Sequence, residues 1–150
     1  VSLMSLAAER LVFTIIVALL ALVPVSAGLA GVVLGPDFLR VEPPFSADLG
    51  SHLRFLSGIF LAFGISWWLC LWDLERSASR FRLLGILTIC GGLARLMSLF
   101  VDGVPSAGHM FGLCLELIGV PLLLFWHRRL IKVGREAGLG TGEVGVRGLS

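Results

Sequence analysis

The chain has 150 residues, 57% of them hydrophobic and 15% charged, with a formal net charge of +2 and a mean hydropathy of +0.97. A soluble domain carries about 45–50% apolar and about 25% charged residues, so the composition excludes an ordinary soluble globule and reads as one integral membrane domain. The small net charge, with Arg at the ends of apolar runs rather than in a patch, excludes a nucleic-acid surface.

Residues 1–10 end in Glu9-Arg10, and Leu11–Leu34 then runs uncharged for 24 residues. About 20 residues span a bilayer, so this run predicts the first helix, about 11–34. A signal peptide is the rival reading, with small residues at Ser26, Ala27 and Gly28, but the run outlasts a signal core. Pro24 is expected to kink the helix. Ala27, Gly31 and Gly35 lie four apart and predict a face where another helix comes close. Residues 35–54 read as the longest polar connection, broken by Pro36, Pro43 and Pro44, with Ser46 or Asp48 as cap of the next helix.

The second span is predicted over about 55–72, entered past His52 and Arg54. Trp67, Trp68 and Trp72 at its end suit a membrane–water boundary. A basic link with Arg76, Arg80 and Arg82 leads to the third span, about 83–101. The fourth, about 110–126, ends at Trp126 and is followed by His127, Arg128 and Arg129, with His127 read as an interfacial anchor. Residues 1–133 thus form the transmembrane domain and 134–150 a Gly-rich C-terminal tail, expected to be flexible. Lys and Arg concentrate at Arg10, in the 73–82 link and after Trp126, against only Arg40 and Arg54 on the other side. The fold class expected is all-α: a polytopic protein of four transmembrane helices in an antiparallel bundle, both termini cytoplasmic. Cys70, Cys90 and Cys114 fall singly inside apolar runs, with no metal spacing and no disulfide expected.

Each of the last two spans carries one charge, Arg95 and Glu116. A two-helix turn at Pro105–Ser106 sets opposite any residues whose numbers add to 211. Arg95 and Glu116 satisfy that register, as do Asp102 and His109. Thr88, Gly91, Arg95, Ser98 and Asp102 share one helical face, and His109, Gly112, Glu116 and Gly119 share another. Opposite charges at one depth offset a cost of about 2.5–3.5 kcal/mol each at mid-bilayer. With His52 and Arg54 entering from the same side, the residues predict an outward-facing polar cluster of His52, Arg54, Arg95, Glu116, Asp102 and His109. Three uses stay open for it: a structural Arg95–Glu116 pair fixing helix register, a ligand or proton site, or contact with a partner chain. No metal-ligand or nucleophile–base spacing accompanies it.

Ser51-His52-Leu53-Arg54-Phe55-Leu56-Ser57-Gly58, Gly91-Gly92-Leu93-Ala94-Arg95-Leu96, and Glu116 followed by Pro121 and Trp126-His127-Arg128-Arg129 together resemble a bacterial family of small four-helix membrane proteins known only as a domain of unknown function. The resemblance spans roughly residues 10–130. It implies the four-span fold, singles out His52, Arg54, Arg95 and Glu116, and brings no activity; the Gly-rich tail lies outside it.

The function expected is that of a non-enzymatic accessory or scaffolding subunit of a larger membrane complex, needing no cofactor and no metal. Its partners would be membrane lipids and other membrane subunits, and its home the bacterial cytoplasmic (inner) membrane. A photosynthetic or respiratory assembly would be a suitable host, though no residue names one. The alternative is a binder or enzyme for a lipid-like molecule, a quinone, sterol or phospholipid, held by the Arg/His/Glu cluster.

Overall fold

The structure, a computed structural model, describes residues 3–39 and 42–138. Every regular element among them is helical: α1 (Leu3–Leu34), a 3-10 turn (Gly35–Leu39), α2 (Ala47–Cys70), α3 (Ala78–Val101) and α4 (Ala107–Glu136). All four helices are long and apolar enough to cross a membrane, and within the most apolar stretch of each at most 22% of the residues are buried. Apolar side chains such as Leu19, Phe55, Leu93 and Phe125 are therefore turned outward, on a scale that suits lipid and not water.

The helices are longer than the apolar runs that predict them. α1 begins at Leu3 rather than Leu11 because nothing in Leu3–Arg10 breaks a helix, and Ala7, Ala8, Glu9 and Arg10 are good helix formers. α2 begins at Ala47, so much of the expected 35–54 connection is helical. Its cap is Ser46, whose side chain accepts the Leu49 N–H at 3.1 Å. α4 continues through Gly134, itself buried, to Glu136, beyond the expected end at Trp126. It stops where Gly138 adopts φ +73° and Ala137 N–H returns to the Val133 carbonyl. The rest of the expected tail, 139–150, lies outside the described residues, as does Arg40.

The described residues fall into two units, Val12–Leu87 and the remainder: the N-terminal segment to Leu11 with Thr88 onward. The first has an aromatic core. Phe81 is fully buried, with Trp67 edge-on to it at 4.7 Å between ring centroids and Phe13 tilted against it at 5.7 Å. Val17, Ala21, Cys70 and Leu84 are buried too. Trp68 donates its indole N–H to the Ala18 carbonyl at 3.0 Å. Asp73 organises the α2–α3 link, its carboxylate accepting from the N–H groups of Glu75 and Arg76. Trp67 is thus a core residue, and of the three Trp at this end Trp72, 87% exposed, is the one free to sit at a membrane boundary.

Below this core α1 and α2 touch backbone to backbone. A Cβ at Gly28 would lie 2.5 Å from the Leu61 nitrogen; one at Gly31 would strike Ser57 Oγ; one at Gly64 would lie 2.7 Å from Val25 Cγ2. The close face therefore runs through Gly28, Gly31 and Gly35, with Gly28 in the place expected of Ala27. Helix rotation explains the shift: spacings of three and four both keep a face, and only glycine fits against backbone. In the second unit Leu6, Leu113, Leu123, His127 and Leu130 are buried. His127 is 3% exposed, a packed residue and not an interfacial anchor. Cys70, Cys90 and Cys114 are all free thiols.

Gly28→Ala should destabilise the protein by about 1–3 kcal/mol, the cost of overpacking, because its new methyl meets backbone that cannot rotate away. Gly91→Ala, whose added Cβ would meet no neighbouring element within 4 Å, should be neutral or stabilising by about 0.5–1 kcal/mol through helix propensity. Thermal unfolding of both variants in one detergent checks the contrast, and equal effects would mean that α1 and α2 are not in contact at Gly28.

Candidate functional site

Arg95 lies within the apolar run of α3 and Glu116 within that of α4, each a single charge among Leu, Ile, Met and Gly. They meet side-on. Arg95 Nε–H donates to Glu116 Oε2 at 3.0 Å and Nη2–H to Oε1 at 3.1 Å, the bidentate geometry in which a planar guanidinium binds a carboxylate most strongly. The Glu116 side chain is 16% exposed and that of Arg95 32%. Gly92, one turn before Arg95, makes the approach possible: a Cβ there would sit 2.8 Å from both Glu116 Cβ and Leu117 Cδ2.

Glu116 stands on a π-helical turn, Leu115–Gly119, where the Val120 N–H reaches back five residues to the Leu115 carbonyl. Pro121 supplies the local reason. It has no N–H to give the Leu117 carbonyl, and its ring would clash with that carbonyl in a regular α-helix. A wider turn just before it relieves the conflict. Pro121 is thus the sequence signal for a turn that the even 3–4 spacing of the helix-four face does not announce.

The remaining cluster candidates are arranged differently. Asp102 accepts from Ser98 Oγ at 2.8 Å and His109 Nδ1 lies 2.9 Å from Ser106 Oγ. Both are exposed, each occupied by its own helix end, and no hydrogen bond or ion pair among the described residues joins them. His52 and Arg54 belong to the first unit, the other four to the second. His52 is exposed. Two residues apart on one helix, His52 and Arg54 point to nearly opposite sides. Arg54 turns toward the end of α1: Nη1–H donates to the Gly50 carbonyl at 3.4 Å, and the guanidinium rests 2.7–2.8 Å from where a Gly35 Cβ would be. Gly35 carries φ +61°, so glycine is required there twice over, by backbone and by Arg54.

A second polar site was not foreseen from the pattern of the chain. Glu9 accepts the Trp126 indole N–H on Oε1 at 2.9 Å and the Arg129 Nη1–H on the same oxygen. The available signal was weak: Glu9 borders one apolar run and Arg129 another, and nothing in their spacing couples residues so far apart. Among the described residues no three His, Cys, Asp or Glu side chains group as metal ligands do.

Residues 12–127 match the model of one protein family, DUF4345, a domain of unknown function. No curated protein and no solved structure matches the chain. The matched segment holds all six cluster candidates and leaves out Glu9 and Arg129.

Removing one member of a buried ion pair costs about 3–5 kcal/mol, and the partial exposure of Arg95 points to the lower end. Arg95→Leu and Glu116→Leu should each lower stability by that order, and the double variant should recover most of the loss. A double-mutant cycle by thermal unfolding measures the coupling; additive losses would mean that the two side chains do not act as a pair.

Proposed function

The chain belongs to the DUF4345 family, and from that premise we propose that it is a four-span membrane protein acting as an accessory or scaffolding subunit of a larger membrane complex, not as an enzyme. One observation carries the reading. Both carboxylate oxygens of Glu116 are taken by Arg95, so the embedded acid and the embedded cation serve each other. A general base presents an oxygen to a substrate proton, and here each oxygen is already directed at an Arg95 N–H. A matched pair sets the register of α3 against α4, which is what a scaffold requires. Exposed apolar faces such as Leu83, Leu87 and Met97 of α3 offer surface to neighbouring membrane helices as well as to lipid.

In this proposal the helices run antiparallel and both termini are cytoplasmic, in a bacterial inner membrane. Arg10, Arg76, Arg80, Arg82, Arg128, Arg129, Lys132 and Arg135 then share the cytoplasmic side, against Arg40 and Arg54 outside, as the positive-inside bias demands. A lipid-like ligand is the second reading, and Arg54 favours it. Seated on Gly35, it spends one N–H on Gly50 and keeps its other donors uncommitted among the described residues.

Extraction in a mild detergent distinguishes the two: an accessory subunit elutes with larger partners, a lipid binder elutes alone with a molecule whose retention falls in Arg54→Gln. For topology, Ser46→Cys and Ser79→Cys replace exposed residues, whereas Ser77 is buried and unsuited to labelling. A membrane-impermeant thiol reagent should label Ser46→Cys from outside the cell and Ser79→Cys only from the cytoplasm; the reverse pattern overturns the assignment.

A further inference from the structure

The second half of α4 has two unlike faces. Leu123, His127, Leu130 and Gly134 are buried and recur at helical spacing along one side. On the other side Ile118, Leu122 and Phe125 are 61–70% exposed, and the same side then continues into cations. Arg128, Lys132 and Arg135 are all exposed, and at 100° per residue they fall within about 60° of one another. Among the described residues no side-chain hydrogen bond or ion pair engages any of the three. Arg129, by contrast, is held by Glu9. Glu136 is the acidic residue on this side of the helix end and offsets part of the charge.

From this continuity we propose that Arg128, Lys132 and Arg135 form a docking stripe for the head groups of anionic phospholipids. A helix face that turns Leu122 and Phe125 to the acyl chains must carry its next two turns through the head-group layer. Arg128 to Arg135 covers roughly 10 Å at 1.5 Å per residue, comparable to the head-group layer of about 5–8 Å per leaflet. Lys and Arg stems lie along apolar surface while the charged ends reach phosphate. The occupant is a lipid rather than a free phosphate because the apolar and cationic parts are one surface. The inference rests on α4 crossing the bilayer and is independent of the accessory role.

The test uses the full chain in mild detergent with equal amounts of phosphatidylglycerol and phosphatidylcholine, and bound lipid is counted by native mass spectrometry. Cations near an anionic surface attract its lipids, so wild type should favour phosphatidylglycerol by about tenfold or more. The preference should fall as salt is raised and survive added glycerol phosphate. Arg128→Gln, Lys132→Gln and Arg135→Gln together should remove most of it. Arg76→Gln, Arg80→Gln and Arg82→Gln together change total charge equally and should leave it in place. Glu136→Gln should strengthen it. No preference in wild type, or equal loss in both triple variants, overturns the stripe; competition by glycerol phosphate overturns the lipid as occupant. Recovery of the protein in the membrane fraction with no such preference leaves the four-span reading intact and removes this inference alone.

Discussion

Arg95 and Glu116 meet through two parallel N–H···O bonds in stretches apolar enough to cross a bilayer. Either charge alone would cost at least about 2.5–3.5 kcal/mol near the middle of a membrane. Together they are tolerable only if the geometry holds, because Coulomb attraction offsets desolvation only at close range and with the lone pairs filled. That requirement propagates outward. Gly92 must be small so that the Glu116 backbone can come near, and Leu117 fills the space that a side chain at 92 would occupy. The π-helical turn lets Pro121 follow within a few residues without breaking α4. One polar contact thereby accounts for a glycine that would look arbitrary alone, and Pro121 accounts for the helix irregularity on which Glu116 stands.

The first unit solves the same packing problem without charge. Lipid tails are as apolar as Leu, so helices in a membrane gain little by hiding Leu from them; close approach supplies the attraction instead. Gly28, Gly31 and Gly64 let α1 and α2 approach until side chains would collide with backbone. At the end of α1 the principle changes character. Gly35 ends the helix in a left-handed conformation and in the same place gives a flat seat to the Arg54 guanidinium. A cation beside the carbonyl end of a helix is favourable, so Arg54 has a structural use whether or not a ligand also meets it.

The sequence exposes those features that follow from hydropathy and periodicity. Four long apolar runs announce four helices because a bilayer imposes a length. The runs understate the helices because a hydropathy run ends at the first charges, while Glu9, Arg10 and residues 127–136 continue the same backbone ladder. Arg95 and Glu116 were legible as partners because a short turn with little slack fixes the register of two straight helices. The same arithmetic placed Asp102 against His109, where it failed to produce a contact: near the turn, Ser98 and Ser106 are nearer partners than a residue across the gap. His52 and Arg54 read as one cluster by depth alone, yet depth ignores rotation, and a two-residue separation turns them apart. Glu9 with Arg129 could not be read at all, since that contact depends on tertiary placement of the first and last helices.

Tryptophan shows how far a positional rule carries. Trp67, Trp68, Trp72 and Trp126 all stand at the ends of apolar runs, where aromatic side chains favour the membrane interface. Trp72 is free to take that place. Trp68 and Trp126 instead spend their indole N–H groups on the Ala18 carbonyl and the Glu9 carboxylate. Trp67 packs edge-on against Phe81 inside the first unit. The reason lies in how little these units bury. With so few interior positions, each must contribute much area, and an indole or phenyl ring buries about 150–250 Å². The end of a span is also where a ring can be wedged between helices while its N–H still finds an oxygen. A tryptophan there is therefore drawn inward by packing as well as outward by the interface: Trp68 and Trp126 go in where an oxygen accepts the indole N–H, and Trp67 where its ring meets Phe81.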